Sequence, residues 1–260
     1  MTNDDTLPDD PQKLQAARVL ALLDASRHSL AALAAAVELA SECHAELVAL
    51  YVEDIDLLRC AAFPFSCEIG AQSGLTRPLT SGSLEVCIAR QLQRVRQALS
   101  GAVAGRSLRH RLEVSRGQVT TAALDMARKD DVLVLGKTGT SEHWGPRLGS
   151  TSRRLVFEAT CTVLLWDERQ AVKRGPLRWL AASPGSSSPE QTATPALTEW
   201  LASLFEGAAP LPLRHAGDLE SALTHAAAGG LLLHRHELTR LLEEEPELIA
   251  KVPLPIIITD

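Results

Sequence analysis

No two cysteines in this chain stand as Cys-x-x-Cys, and the five present, Cys43, Cys60, Cys67, Cys87 and Cys161, are odd in number. A disulfide framework or a structural zinc site needs paired thiols, so neither is indicated. The expectation is five reduced thiols, most of them buried. A basic excess is also missing. The 26 Lys and Arg are outnumbered by 32 Asp and Glu, giving a net charge of −6. Duplex affinity rests on cations neutralising phosphates, so no nucleic-acid partner is expected. No long apolar run occurs. Stretches such as "LAALAAAVELA" are too short and interrupted to span a bilayer. The opening "MTNDDTLPDDPQK" lacks a basic segment followed by an apolar one, so no secretory signal is expected and the protein is read as cytoplasmic.

Two catalytic signatures are absent as well. "GKT" at 136–138 suggests a Walker A loop, which requires a glycine five positions before its Gly-Lys-Thr glycine. That position is Asp131. No serine sits in a Gly-x-Ser-x-Gly elbow. "HRHE" at 234–237 has two histidines two apart and no carboxylate at helical spacing, which is weak as a metal fragment. No catalytic residue and no metal ligand is assigned.

What is there is an ordinary globular composition, 45% hydrophobic and 22% charged, enough for one large domain or two modest ones. After a polar tail over 1–17, "RVLALLD" at 18–24 reads as a buried strand ending in Asp24. "SRHSLAALAAAVELASEC" follows with helical spacing and Ser26 as N-cap. "AELVALYVED" returns to a strand. Residues 54–82 carry Pro, Gly and Ser without a sustained period and read as a long mobile connection. A helix from Ser83, a strand in "SLRHRLEVSRG", a helix in "VTTAALDMARKD", a strand in "DVLVLG", a helix in "GSTSRRLVFEAT" and a strand in "CTVLLWD" complete this half. The alternation predicts an α/β fold, a doubly wound, mainly parallel five-stranded sheet with helices on both faces, of Rossmann-like type, over 18–170.

The remainder, 176–260, repeats the first half in pieces. "LPLRHAGDLESALTHAAAGGLLLH" is similar to "LEVSRGQVTTAALDMARKDDVLVLG", and "PELIAKVPLPIIITD" to "RRLVFEATCTVLLWDE". "PLRWLAASPGSSS" echoes the first strand and turn. The expectation is an internal duplication whose shortened second copy lacks the long connection, its helix and a strand.

In such a sheet, ligands bind beyond the carboxyl ends of the strands, where the order reverses. Asp24, Val52 and the loop from Gly136 converge there. Gly136, Gly139, Gly149 and Ser150 reproduce the Gly-x2-Gly-x9-Gly-Ser/Thr spacing of ATP-binding universal stress proteins, and the chain resembles that family over roughly 18–167. "LLDASRHSLAALAAAVELA" and "CTVLLW" are similar to its first strand and helix and its last strand. The resemblance implies an adenine nucleotide alpha hydrolase-like fold binding ATP, with or without Mg2+. Residues matching Asp24, Ala25 and Val52 would face the adenine side. Gly136, Lys137, Gly139, Gly149, Ser150, Thr151 and Ser152 would face ribose and phosphate. Early glycines admit close backbone approach, and the last opens a helix whose N–H groups receive an anion.

The second copy has "HRHELTRLLEEEPE" in place of this loop and no acid matching Asp24, so one nucleotide per chain is expected. The function implied is an ATP-binding regulatory or adaptor protein of stress response with a protein partner. The alternatives are a slow ATPase, for which no base or Mg2+-holding acidic pair is visible, and an interaction protein without nucleotide. Members of that family pair through their last strands, which implies an intrachain pseudo-dimer, or a homodimer, with "PLPIIITD" at the contact. Its prolines make it a poor central strand.

Overall fold

The run Val19–Leu23 (β1) is apolar on both sides because both faces of the sheet are covered, as parallel sheets require. In the computed structural model, which describes residues 18–70, 73–137, 148–166, 175–180, 205–211, 216–223, 226 and 228–260, β1 sits inside a nine-stranded sheet. Helix α1 (Arg27–Glu42) follows, with Ser26 accepting from the Ser29 N–H as N-cap, and then β2 (Leu47–Asp54). Helix α3 (Ser81–Val103), β5 (His110–Gly117), α4 (Val119–Met126), β6 (Val132–Gly136), α5 (Ser150–Glu158) and β7 (Thr162–Trp166) complete the first half. These elements fall where the sequence pattern places them. The strands run β5-β2-β1-β6-β7, all parallel. Helices α1 and α3 cover one face, α4 and α5 the other.

Residues 54–82 are not an irregular connection. Asp54 accepts from the Asp56 N–H and starts helix α2 (Ile55–Ala61). Strands β3 (Cys67–Ile69) and β4 (Thr76–Pro78) then pair as a separate antiparallel hairpin. Elements this short show no sustained period in a sequence. The arm leaves Phe63 and Phe65 exposed, their rings stacked 5.7 Å apart.

The second half continues the same sheet. Strands β8 (Leu177–Leu180), β9 (Ala208–Leu211), β10 (Gly230–His234) and β11 (Ile256–Thr259) add in the order β7-β11-β10-β8-β9, with helices α6 (Ala216–Leu223), α7 (Arg235–Glu244) and α8 (Leu248–Lys251). Strand β9 lies beside β8 as β2 lies beside β1, although its sequence had suggested the place of β5. Strand β11 is a central strand after all. Pro253 and Pro255 precede it, and Pro255 contributes only its carbonyl, which accepts from the Leu231 N–H. The missing proline donor therefore lies outside the ladder.

The seam between β7 and β11 is antiparallel. Gly136 pairs with Trp166 and His234 with Thr259, so equating Gly136 with His234 makes Leu164 equivalent to Ile257. Those two residues face each other across the seam. Were the two halves copies of one unit, their two-fold axis would pass between these residues, both of which are buried.

The thiols depart from expectation. Only Cys161 is buried, Cys43 is partly exposed, and Cys60, Cys67 and Cys87 are exposed.

Candidate functional site

The chain runs outward from β1 to β2 on one side and from β6 to β7 on the other, so the order reverses between β1 and β6. Crevices form at the carboxyl ends of strands at such a point. Here a cavity of about 330 Å3 opens, within the range of small-molecule sites. Its lining crosses from β2 through β1 to β6 and the start of α5.

Asp24 stands at the end of β1 and is exposed to the cavity. Its Oδ1 accepts from the Ser26 N–H at 2.9 Å, and its own N–H donates to Ser29 Oγ at 3.3 Å. This turn holds Ala25 at a φ of 61°, the left-handed region that a side chain disfavours. Ala25 shapes the turn, but the cavity is lined by its neighbours. Val52 lines the β2 side.

Gly136, Gly149, Ser150, Thr151 and Ser152 line the other side. The Gly149 N–H donates to the Lys137 carbonyl at 3.1 Å, which ties the start of α5 to the end of β6. Helix α5 then starts without a side-chain cap on its first N–H groups. Free N–H groups and the positive end of the helix dipole suit an anion there. The Ser152 hydroxyl is already engaged, donating to the Gly136 carbonyl at 2.9 Å. The glycine at 136 has a different cause from the one expected. A Cβ there would press on His28 of α1 at 3.0 Å, so strand-to-helix packing disfavours it. Gly139 lies outside the described residues.

Lys137 is a correction. Its side chain is fully buried and turns away from the cavity, its Nζ donating to the Val252 carbonyl at 2.6 Å and the Leu254 carbonyl at 2.8 Å. An ammonium held there does not reach a phosphate in the crevice. "HRHE" is likewise structural. Arg235 donates to the Val156 and Cys161 carbonyls and pairs with Asp260, and Glu237 accepts from the His234 N–H at 3.0 Å in a capping box. Helix α7 begins directly after β10, whereas in the first half β6 ends at Gly136 and α5 starts only at Ser150.

Tyr51, Asp54, Leu57, Ile88 and Gln91 complete the β2 side and were not foreseen. Asp54 ends its strand as Asp24 does, which is a signal the sequence carries. Tyr51 donates to Gln91 Oε1 at 3.1 Å, fixing the amide of α3 against the crevice. Burial first, then the charges of Glu53, Cys87 and Asp24, pushes the Tyr51 phenol up to about 12. It stays protonated and serves as a donor. Among the described residues no basic side chain lines the cavity, and no cluster of three or more His, Cys, Asp or Glu could hold a metal.

Parallel sheet, strand reversal and terminal crevice define a doubly wound α/β protein. Its fold is that of the universal stress proteins. A universal stress protein from Archaeoglobus fulgidus DSM 4304 is similar over 94% of this chain and 96% of its own, at 13% identity and a TM-score of 0.56. Universal stress protein UspA from Lactobacillus plantarum matches 58% of this chain and 98% of its own, at 26% identity and a TM-score of 0.43. A universal stress protein in complex with cAMP matches 59% and 98%, at 18% identity and a TM-score of 0.40. No family model and no curated protein matches the sequence. Among the described residues, no helix is long and apolar enough to cross a membrane.

Proposed function

We propose that this chain is a universal stress protein of the nucleotide-binding type, taking one adenine nucleotide in the crevice of its first half. ATP, with or without Mg2+, is the ligand proposed. The observation that carries this reading is the uncapped start of α5 at Ser150–Ser152, opening on the same cavity as Asp24. Backbone donors at one end suit phosphate. Asp24 uses only Oδ1 among the described hydrogen bonds, so Oδ2 is left to accept from a ribose hydroxyl or the adenine amine. The glycine spacing supports the same ligand.

The role proposed is regulatory: occupancy of the crevice biases a surface that a protein partner reads. Residues 176–260 are proposed as a shortened second copy of 18–170, joined to it as a pseudo-dimer. The pairing of Leu164 with Ile257 across the seam and the repeated strand order support this.

Mass spectrometry of protein purified without added nucleotide tests the ligand, with a co-purifying adenine nucleotide expected. Titration of Gly149→Val together with Ser150→Ala tests the site. The substitution puts a branched side chain at the helix start, so ATP affinity drops sharply. Unchanged affinity would reject the site.

A further inference from the structure

We infer that Lys137 is a positioning residue through which the second half of the chain sets the shape of the nucleotide site in the first. The inference rests on reading the crevice as an adenine-nucleotide site. Lys137 is 1% exposed, and its Nζ is held by the carbonyls of Val252 and Leu254, on the approach to β11. Its backbone is held just as closely by the first half. The Lys137 N–H donates to the Trp166 carbonyl at 2.9 Å, and its carbonyl accepts from Gly149, the N-cap of α5.

The next residue back, Gly136, lines the crevice and accepts from Ser152. One residue therefore bonds to the second half through its side chain and to the helix start through its backbone. A bonded path of this length leaves the 252–254 segment little freedom to shift without moving Gly149. Any nucleotide that binds better when Gly149 is bonded to Lys137 than when it is not must then favour the docked second half, and docking must favour the nucleotide equally.

Arg235 provides the control. It crosses the same seam, but grips the Val156 and Cys161 carbonyls at and beyond the far end of α5 and touches neither Gly136 nor Gly149. A role in seam stability alone would make the two residues interchangeable.

The experiment compares ATP affinity by calorimetry for the full chain, Lys137→Met and Arg235→Met. Hydrogen exchange of the amides from Ile249 to Leu254 is followed with and without ATP. Lys137→Met is expected to weaken ATP binding about fivefold or more, whereas Arg235→Met leaves it unchanged. In the unsubstituted chain, ATP slows exchange at 249–254. Equal affinity in all three proteins, or an equal loss in both variants, overturns the inference while the nucleotide reading stands. Absence of ATP binding to the unsubstituted chain overturns both. Should Lys137→Met fail to fold, Lys137→Gln keeps a donor on a shorter stem. The exchange measurement on the unsubstituted chain needs no variant, and ATP binding without protection at 249–254 is equally fatal.

Discussion

Lys137 and Arg235 are mirror clasps on one seam. Each is the first residue after its strand, β6 or β10, and each reaches across to carbonyls just before the other half's last strand. The register that equates Leu164 with Ile257 also equates Cys161 with Leu254, the carbonyls that accept from Arg235 and Lys137. Two cationic side chains of different chemistry thus span the seam at corresponding places, and only Lys137 is also bonded to the start of α5.

Removing the Arg235 clasp should therefore destabilise the chain without touching the crevice. Arg235→Met leaves the Val156 and Cys161 carbonyls without their guanidinium donor. A loss of about 1–3 kcal/mol is expected, read as a lower midpoint in urea unfolding.

Gly136→Ala should cost about 1–3 kcal/mol through overpacking, because the new methyl meets the backbone and Cβ of buried His28 at 3.0 Å. Those atoms belong to a helix, not to the end of a flexible side chain. Thermal unfolding should show the loss with no ligand present. A neutral substitution would mean that α1 moves freely against β6.

The single tyrosine of the chain makes its titration readable by absorbance. Tyr51 should ionise near pH 12, above the ordinary 10.0. The folded state holds the proton more tightly than the unfolded one, so this contribution to stability is complete below pH 10. It is lost as pH rises through 12. Ionisation near 10 would place the phenol in water.

Thiol labelling at pH 8 should divide the cysteines. Cys60, Cys67 and Cys87 are exposed and should react within minutes. Burial, helped by Asp131 and opposed by Arg235, pushes the Cys161 thiol up to about 11. It should stay unlabelled until the protein unfolds. Labelling at pH 8 at the rate of the exposed thiols would contradict its buried setting.

Much of the first half was legible because its signals are local. Ser26 caps α1 by accepting from an N–H only three residues on, and Asp24 follows directly on an apolar run. Asp131, whose presence excludes a Walker loop, turns out to be a buried anchor for Arg18 and the Arg128 N–H. What was hidden depends on distant chain. The acceptors of Lys137 lie 115 and 117 residues away, so nothing near "GKT" tells that the ammonium turns from the crevice. Gln91 reaches the site through tertiary packing of α3 alone, and β9 takes a place that only the sheet reveals. Pro255 looked hostile to a central strand because composition does not say which residue first needs a donor.

The antiparallel seam has one more effect. Where the first half opens its strand ends, the second half presents the beginnings of its strands, Pro253 and Pro255 among them. The rim at the carboxyl ends of the first half's strands therefore also holds the residues that lead into β11, whereas the carboxyl ends of β8 and β10 face the opposite rim. The molecule is in this sense two-ended, with the crevice of its first half and the strand outlets of its second set back to back.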